Sequence, residues 1–452
     1  MKKYSKLIVR VLAVAGACAS ITIAGCDLNK ALSVQPANLV NANTVEAPEY
    51  ASLLVAGAAS DYDCAFNSYV VVGALIGEEL EDGLQTADRW PYDQRTVLAN
   101  KVWYSQNGCT GLGIYQPLQA ARASAGNVRR LLEEWTDAQV PGRQLFIARM
   151  SAYEAWSQLL LAEAFCETVF STVHGEEVQW GTIISRSQAL DSAIASFGST
   201  ITAAQAAGGA AGDSVRYFAL IGRARAYQDK GNLASARADA ALVPASFVWN
   251  VTASGANSRR NNRVFQENNP AITPSSSVGT RYRQATYTSD PRIRVQDLKK
   301  LSNGTNVPLW AQLKYTSVSS PIPAATGTEM QLLIAEADIT SNRANTLAII
   351  AAMRAAGNQP AYTGTTPADD LNEIIDQRRR ALFLTGTHFG DIIRYNLTLS
   401  PAAGTSTPWN QQYGPDNLYH PSSRGGGGLQ EQHLSNLKAA LPARHSGWDV
   451  VS

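Results

Sequence analysis

Long stretches of helical periodicity, separated by breaks that contain proline or glycine, constrain this chain more than any other feature. Leu118, Ala121, Ala125, Val128, Leu131 and Leu132 recur mostly at three- and four-residue steps up to Trp135. That spacing lines one face of a helix. Pro141-Gly142 ends the pattern. A second helix is predicted from residue 143 to about 167, with Phe146, Ala152, Tyr153, Trp156, Leu160 and Phe165 on its stripe. A third covers residues 187–207 and stops in the run from Gly208 to Gly212. Residues 51–77 read as helix-rich, with a break near 61–64. One-sided helices in this number need other helices to bury them, so the predicted fold class is mostly all-α.

Two segments carry a repeat signature. In residues 213–243, Ala224, Tyr227, Gly231, Leu233, Ala236 and Ala240 fall close to the offsets of a tetratricopeptide helix–turn–helix. Small residues let the two helices approach, and Gly231 supplies the turn. A weaker relative spans residues 329–357, with Leu332, Leu333, Ala335, Leu347, Ile350 and Met353. Residues 245–327 between them are rich in Asn, Ser, Pro and Gly and too long for a plain connector, so short strands in an inserted loop region are expected. The last periodic segment is 369–384, stopping at Gly386. The predicted architecture is a tetratricopeptide-like helical superhelix, with units at about 118–243 and 329–396 and a loop-rich insertion at about 245–327.

The N-terminus places the chain in the cell. Lys2, Lys3, Lys6 and Arg10 precede an apolar run that ends Ile23-Ala24-Gly25-Cys26. This reads as a signal peptide over residues 1–25. The branched residue, two small residues and cysteine resemble the lipoprotein processing pattern of bacteria, which makes Cys26 the lipidated mature terminus. An acyl anchor holds a protein on a bilayer at about 0.8 kcal/mol per buried methylene, with no spanning helix. Residues 26–45 are polar and turn-rich, suiting a tether, and 46–452 form the body. The leader holds four of the 38 basic residues and none of the 37 acidic ones, leaving a mature net charge of −3. That excludes the basic field a nucleic-acid partner needs. Once Cys18 leaves and Cys26 is acylated, Cys64, Cys109 and Cys166 remain. Cys64 and Cys109 sit in loop-like sequence and are the expected disulfide, worth roughly 4 kcal/mol in the chain-entropy account. Cys166 stays a competitor for either partner. No CxxC or suitably spaced histidine supports a metal.

The late segment reads Ile375-Asp376-Gln377-Arg378-Arg379-Arg380-Ala381-Leu382-Phe383-Leu384-Thr385-Gly386-Thr387-His388-Phe389-Gly390-Asp391-Ile392-Ile393-Arg394. Following a lipobox, repeat-like helices and an insertion, it resembles the late hairpin of the SusD/RagB family of outer-membrane nutrient-binding lipoproteins. Ser289-Asp290-Pro291-Arg292 and the run from Glu329 to Ala337 are similar to the family in the same order. Ala381 and Thr385 stand where the family has Glu, and His388 where it often has Arg, marking a divergent member. From its own residues, the hairpin buries Leu371, Ile374, Ile375, Leu382 and Phe383, while Asp391 and Arg394 face each other or reach Arg378 and Arg379. Its expected role is to hold the fold.

The resemblance implies a surface-exposed outer-membrane lipoprotein that delivers a nutrient to a TonB-dependent, SusC-like transporter, with no cofactor and no catalysis. The residues themselves supply no HExxH, nucleophile elbow or phosphate loop. They do supply aromatic planes beside amides and charges, which suits the apolar faces and hydroxyl rims of an oligosaccharide. The candidates are Trp90, Tyr92 and Trp103 in one loop section and Trp310 in the insertion, because neighbouring proline or charge disfavours deep burial. Two rival readings are a lipid-anchored glycan hydrolase using a pair such as Glu78 and Asp82 and a tetratricopeptide-type envelope assembly lipoprotein. For the acidic cluster Glu78, Glu79, Glu81 and Asp82, a solvated helix end is the expectation.

Overall fold

The computed structural model describes residues 46–84, 86, 88–95, 97, 106–174, 177–303 and 306–401. Two compact units emerge, one ending at Tyr50 and one beginning at Ala51. Among the described residues, the second holds all the long helices and strands and is mostly helical, with minor strand content in five separate two-stranded pairs.

Helix α1 (Ala51–Ile76) is followed by strand β1 (Leu80–Asp82), then α2 (Tyr115–Glu134) and α3 (Arg143–Ala164). The stripe predicted on α2 is buried at every position, from Leu118 to Leu132. α1 runs unbroken where a break near 61–64 was expected. Its acidic residues are held by the insertion: Arg259 reaches Asp61 at 2.5 Å, and Asp63 accepts from Thr252 at 2.5 Å and Arg260 at 3.1 Å. From Tyr62 to Ile76 every residue of α1 is buried, as expected of a helix that is apolar all round.

After α3 comes an element the helical reading passes over. β2 (Glu167–Val169) pairs with β5 (Ile183–Ser185), and β3 (Thr172–His174) pairs with β4 (Glu177–Gln179), one ribbon nested on the other. Thr168, Val169, Thr172, Val178, Ile183 and Ile184 supply the β-branched residues that such a finger prefers. Ser185 and Gln188 then form a reciprocal cap that starts α4 (Arg186–Ala207). α5 (Gly209–Asp229) begins inside the Gly-Ala run read as a terminus. Gly208 and Gly209 take φ of +66° and +62°, so the chain reverses within two residues and the small run becomes the first turn of the next helix.

α6 (Leu233–Ala240) leads into the insertion, which opens and closes on one ribbon. β6 (Val248–Val251) runs antiparallel to β10 (Ile322–Thr326), pairing Val251 with Ile322 and Val248 with Thr326. β7 (Ser276–Val278), β8 (Val295–Leu301) and β9 (Pro308–Gln312) lie within it. α6 and α7 (Gly327–Ala337) pack together across this excursion, tied by Arg237 to Asp338 at 2.6 Å and 3.0 Å. α8 (Arg343–Ala356), α9 (Pro367–Ala381) and α10 (His388–Tyr395) complete the body. Consecutive helices from α2 to α6 pack as neighbours, and so do those from α7 to α10.

A chain of buried charge joins these helices. Tyr69 donates to Glu163 at 2.7 Å, and Arg225 lies 3.7 Å from Glu163. The Arg225 fork grips Glu329 through two bonds of 2.9 Å. Arg378, fully buried, grips Asp391 at 2.8–3.0 Å. Arg394 bridges Asp391 and Asp229, each at 2.6 Å. Burial pushes the Asp391 carboxyl up, but Arg378 and Arg394 outweigh it and hold it below its ordinary range. Removing one partner of a buried pair strands the other charge, at a cost of about 3–5 kcal/mol. Arg378→Met should therefore lower unfolding free energy by about that amount in urea titrations. Arg216→Ala, which loses an exposed pairing with Asp213 and a contact over the Tyr217 ring, should change it by about 1 kcal/mol or less. Equal effects would remove the network from the account.

Candidate functional site

The segment from Glu78 to Arg95 and the insertion are built together. β1 is antiparallel to β7, with Leu80 opposite Val278 and Asp82 opposite Ser276. This buries all four carboxylates of the acidic cluster, none more than 3% exposed, which corrects the expectation of a solvated helix end. Three have partners from distant sequence, and Asp82 has one seven residues on. Arg281 meets Glu78 at 2.6 Å, with His388 3.8 Å away; Leu384 N–H donates to Glu79 at 2.8 Å; Arg283 pairs with Glu81; and Arg89 lies 3.6 Å from Asp82. Burial raises Glu78, yet His388 and Arg281 bring it below its ordinary range, whereas burial dominates and lifts Glu79 and Glu81. Glu78 and Asp82 are thus structural, and the buried pair offers a hydrolase no accessible acid and base.

Above this layer lies Trp310, half-buried on β9 and opposite Asp297 of β8. Its backbone is fixed on both sides: Trp310 N–H donates to Ser277 Oγ at 2.8 Å, and its carbonyl accepts from Asn268 at 3.0 Å. Asn268, fully buried, also donates to Ser276 and accepts from Gln312, so one amide fastens β7 to β9. Trp90 is half-buried at the start of a short helix (Trp90–Asp93) that packs on β1. Arg89 beside it reaches Glu267 of the insertion at 3.0 Å. Trp90 and Trp310 therefore sit on elements packed against the same β1–β7 layer although 220 positions separate them.

Tyr92 differs from expectation. It is 4% exposed, packs in the core and donates to the Leu112 carbonyl at 3.2 Å, so its ring presents no open plane. Proline at the second position of its helix starts that turn without exposing it. Trp103 and Cys26 lie outside the described residues. Tyr282, Tyr287 and Tyr315 are core residues, and Trp249 stacks on Phe218 at 4.3 Å. Cys64 and Cys109 form a disulfide joining α1 to the turn at Cys109–Gly111. Sequence reasoning missed Asn268 and Glu267; the run Glu267-Asn268-Asn269-Pro270 marks a turn but gives no sign of which strands it clamps. Among the described residues there is no group of three or more His, Cys, Asp or Glu able to hold a metal ion, and no helix long and apolar enough to cross a membrane.

No family model matches the sequence, and no curated protein matches it. Solved structures do match, and the chain has the fold of the SusD superfamily. A SusD superfamily protein from Bacteroides thetaiotaomicron shares 15% identity at a TM-score of 0.59, over 76% of this chain and 89% of that one. A SusD-like carbohydrate binding protein from Bacteroides vulgatus shares 12% at 0.60, over 86% and 94%. Surface glycan-binding protein A from Bacteroides uniformis shares 11% at 0.60, over 84% and 93%.

Under the site, Lys314 donates to the Phe383 carbonyl at 2.5 Å, and burial pushes its pKa down to about 8, with Glu79 opposing. Between about 8 and the ordinary 10.5 the unfolded chain binds a proton that the folded chain has lost, so Lys314 makes stability rise with pH across that window. The stability difference between the native protein and Lys314→Met should shift by about 3 kcal/mol in the native protein's favour from pH 8 to 10.5. Urea titrations at both pH values measure it, and a constant difference would rule out the buried ammonium.

Proposed function

We propose that this chain is a lipid-anchored outer-membrane protein that captures an oligosaccharide and passes it to a TonB-dependent, SusC-like transporter. The observation that carries the reading is the fold, matched over most of the chain to proteins of the SusD superfamily, two of them named for binding carbohydrate or glycan. The leader ending at Cys26 supports the anchor. We read the helical units as divergent tetratricopeptide-like hairpins, since Ala224, Ala236 and Ala240 are buried at their interfaces and Gly231 turns between helices at φ +74°.

Capture rests on Trp90 and Trp310, with Trp103 as a third plane from the same loop section. The half-buried indoles of Trp90 and Trp310 each offer a flat apolar surface to the C–H face of a sugar, and a plane already fixed by the fold loses little entropy on binding. The charges beneath are paired within the protein, so the mechanism holds ligand without changing it.

An oligosaccharide panel titrated against residues 27–452 by calorimetry tests this. At least one glycan should bind, and Trp310→Ala and Trp90→Ala should each weaken it by about 10-fold or more. Chain lengths should be unchanged after long incubation. Unaltered affinity in both variants would remove the site, and shortened chains would favour an enzyme.

A further inference from the structure

A cleft remains on the opposite kind of surface, between two helices rather than on strands. It encloses about 120 Å³ between α2, α3 and the start of the β2–β5 finger, and its lining includes Arg122, Arg129, Arg130, Glu133 and Glu154. Gly126 forms part of the wall; a Cβ there would come within 3.1 Å of Glu154 Oε1, so the missing side chain keeps the cleft open.

Arg122 is the anomaly. It is 4% exposed, and its partners are neutral: Gln119 accepts from Nε at 3.0 Å and the Ser171 carbonyl accepts from one terminal nitrogen. Phe170 lies under the guanidinium at 5.2 Å. Among the described residues no carboxylate stands within ion-pair distance of it, whereas Arg225, Arg378 and Arg394 each grip one at 2.6–2.9 Å. Burial accordingly draws the Arg122 pKa below that of an ordinary guanidinium, and Glu154 opposes this only in part. Its neighbours are already engaged: Arg129 with Glu133 and Glu154, and Arg130 with Glu134 and Asn127. A buried cation that keeps its charge without a counter-ion is costly, and the cleft gives this one access to a counter-ion from outside.

We propose that the Arg122 cleft is a binding site for a carboxylate, of the kind borne by a uronic acid sugar. Of the three arginines at its lining, Arg129 and Arg130 are matched by carboxylates of the protein, which leaves Arg122 as the one guanidinium there without an ion pair among the described residues. A phosphate dianion brings a second negative charge that no free arginine there matches, beside Glu133 and Glu154 at the wall. The planar carboxylate also matches the guanidinium edge, which a tetrahedral anion fits less well. The volume, about that of four waters, admits the acid group with part of its ring. The site involves none of the indoles of the aromatic face, so either can fail without the other.

Calorimetry on residues 27–452 with glucuronate, glucose, sulfate and phosphate as probes decides it. Glucuronate should bind at least ~10-fold more tightly than glucose, and more tightly than sulfate or phosphate. Arg122→Gln should weaken glucuronate by roughly 10- to 100-fold. Gly126→Val, which fills the wall beside Glu154 and leaves Arg122 in place, should weaken it comparably and covers the case in which the arginine variant misfolds. Trp310→Ala should leave it unchanged. Equal affinity for glucose, tighter binding of sulfate or phosphate, or full affinity in a folded Arg122→Gln or Gly126→Val protein would each overturn the assignment.

Discussion

The structure depends on a run of alternating charge buried where six helices meet. Glu163 on α3, Arg225 on α5, Glu329 on α7, Arg378 on α9 and Asp391 and Arg394 on α10 follow one another in space, and Tyr69 on α1 and Asp229 on α5 close the ends. None of these charges tolerates the interior alone; each is acceptable only because the next lies beside it. The consequence is registry. A helix that slides or turns leaves an unpaired charge, so the run selects one arrangement of helices that apolar packing alone leaves less defined. Trp156 and Phe218, stacked at 4.8 Å under Arg225, add a polarisable floor.

That registry explains how the chain affords so irregular an insertion. α5 lies before it and α7, α9 and α10 after it, yet Arg225 and Glu329 join the two sides directly, and β6 and β10 close the base. The loops between need only hold themselves to the body. They do so through polar pairs that reach back to α1 and β1: Arg259 and Arg260 to the two aspartates of α1, Arg281 and Arg283 to the buried glutamates near β1. The acidic cluster is therefore a docking rail for the insertion, and the elements that carry Trp90 and Trp310 pack against the strands at it.

Much of this order is legible in the sequence, because helical stripes are local. The α2 positions from Leu118 to Leu132 and the buried Ile374, Ile375, Leu382 and Phe383 of the late hairpin follow from spacing, although Leu371 is half-buried and the helix stops at Ala381. The disulfide pairing also holds, although Cys64 lies within a helix and not in a loop. What stayed hidden was decided by partners far along the chain. Asp61 and Asp63 look like a helix break until Arg259 and Arg260 arrive to hold them. Glu78 to Asp82 looks solvated until β7 covers it. Tyr92 looks open beside a proline, but Leu112 supplies a buried acceptor. The finger at 167–185 escaped for another reason: strands of three residues are too short for a period-two pattern to stand out. For the proposed site, composition suggested the aromatic candidates, while Asn268, which holds the backbone of Trp310, gave no signal.

The central claim is that the charge run makes the helices on both sides of the insertion one cooperative body. Native-state hydrogen exchange across a denaturant series measures this directly, amide by amide. The most protected amides of α3, α5, α7, α9 and α10 should all exchange through the same global opening, with one shared free energy and denaturant dependence. If α9 and α10 opened at markedly lower free energy while α3 and α5 stayed protected, the buried charges would not join the two sides, and the account would be wrong.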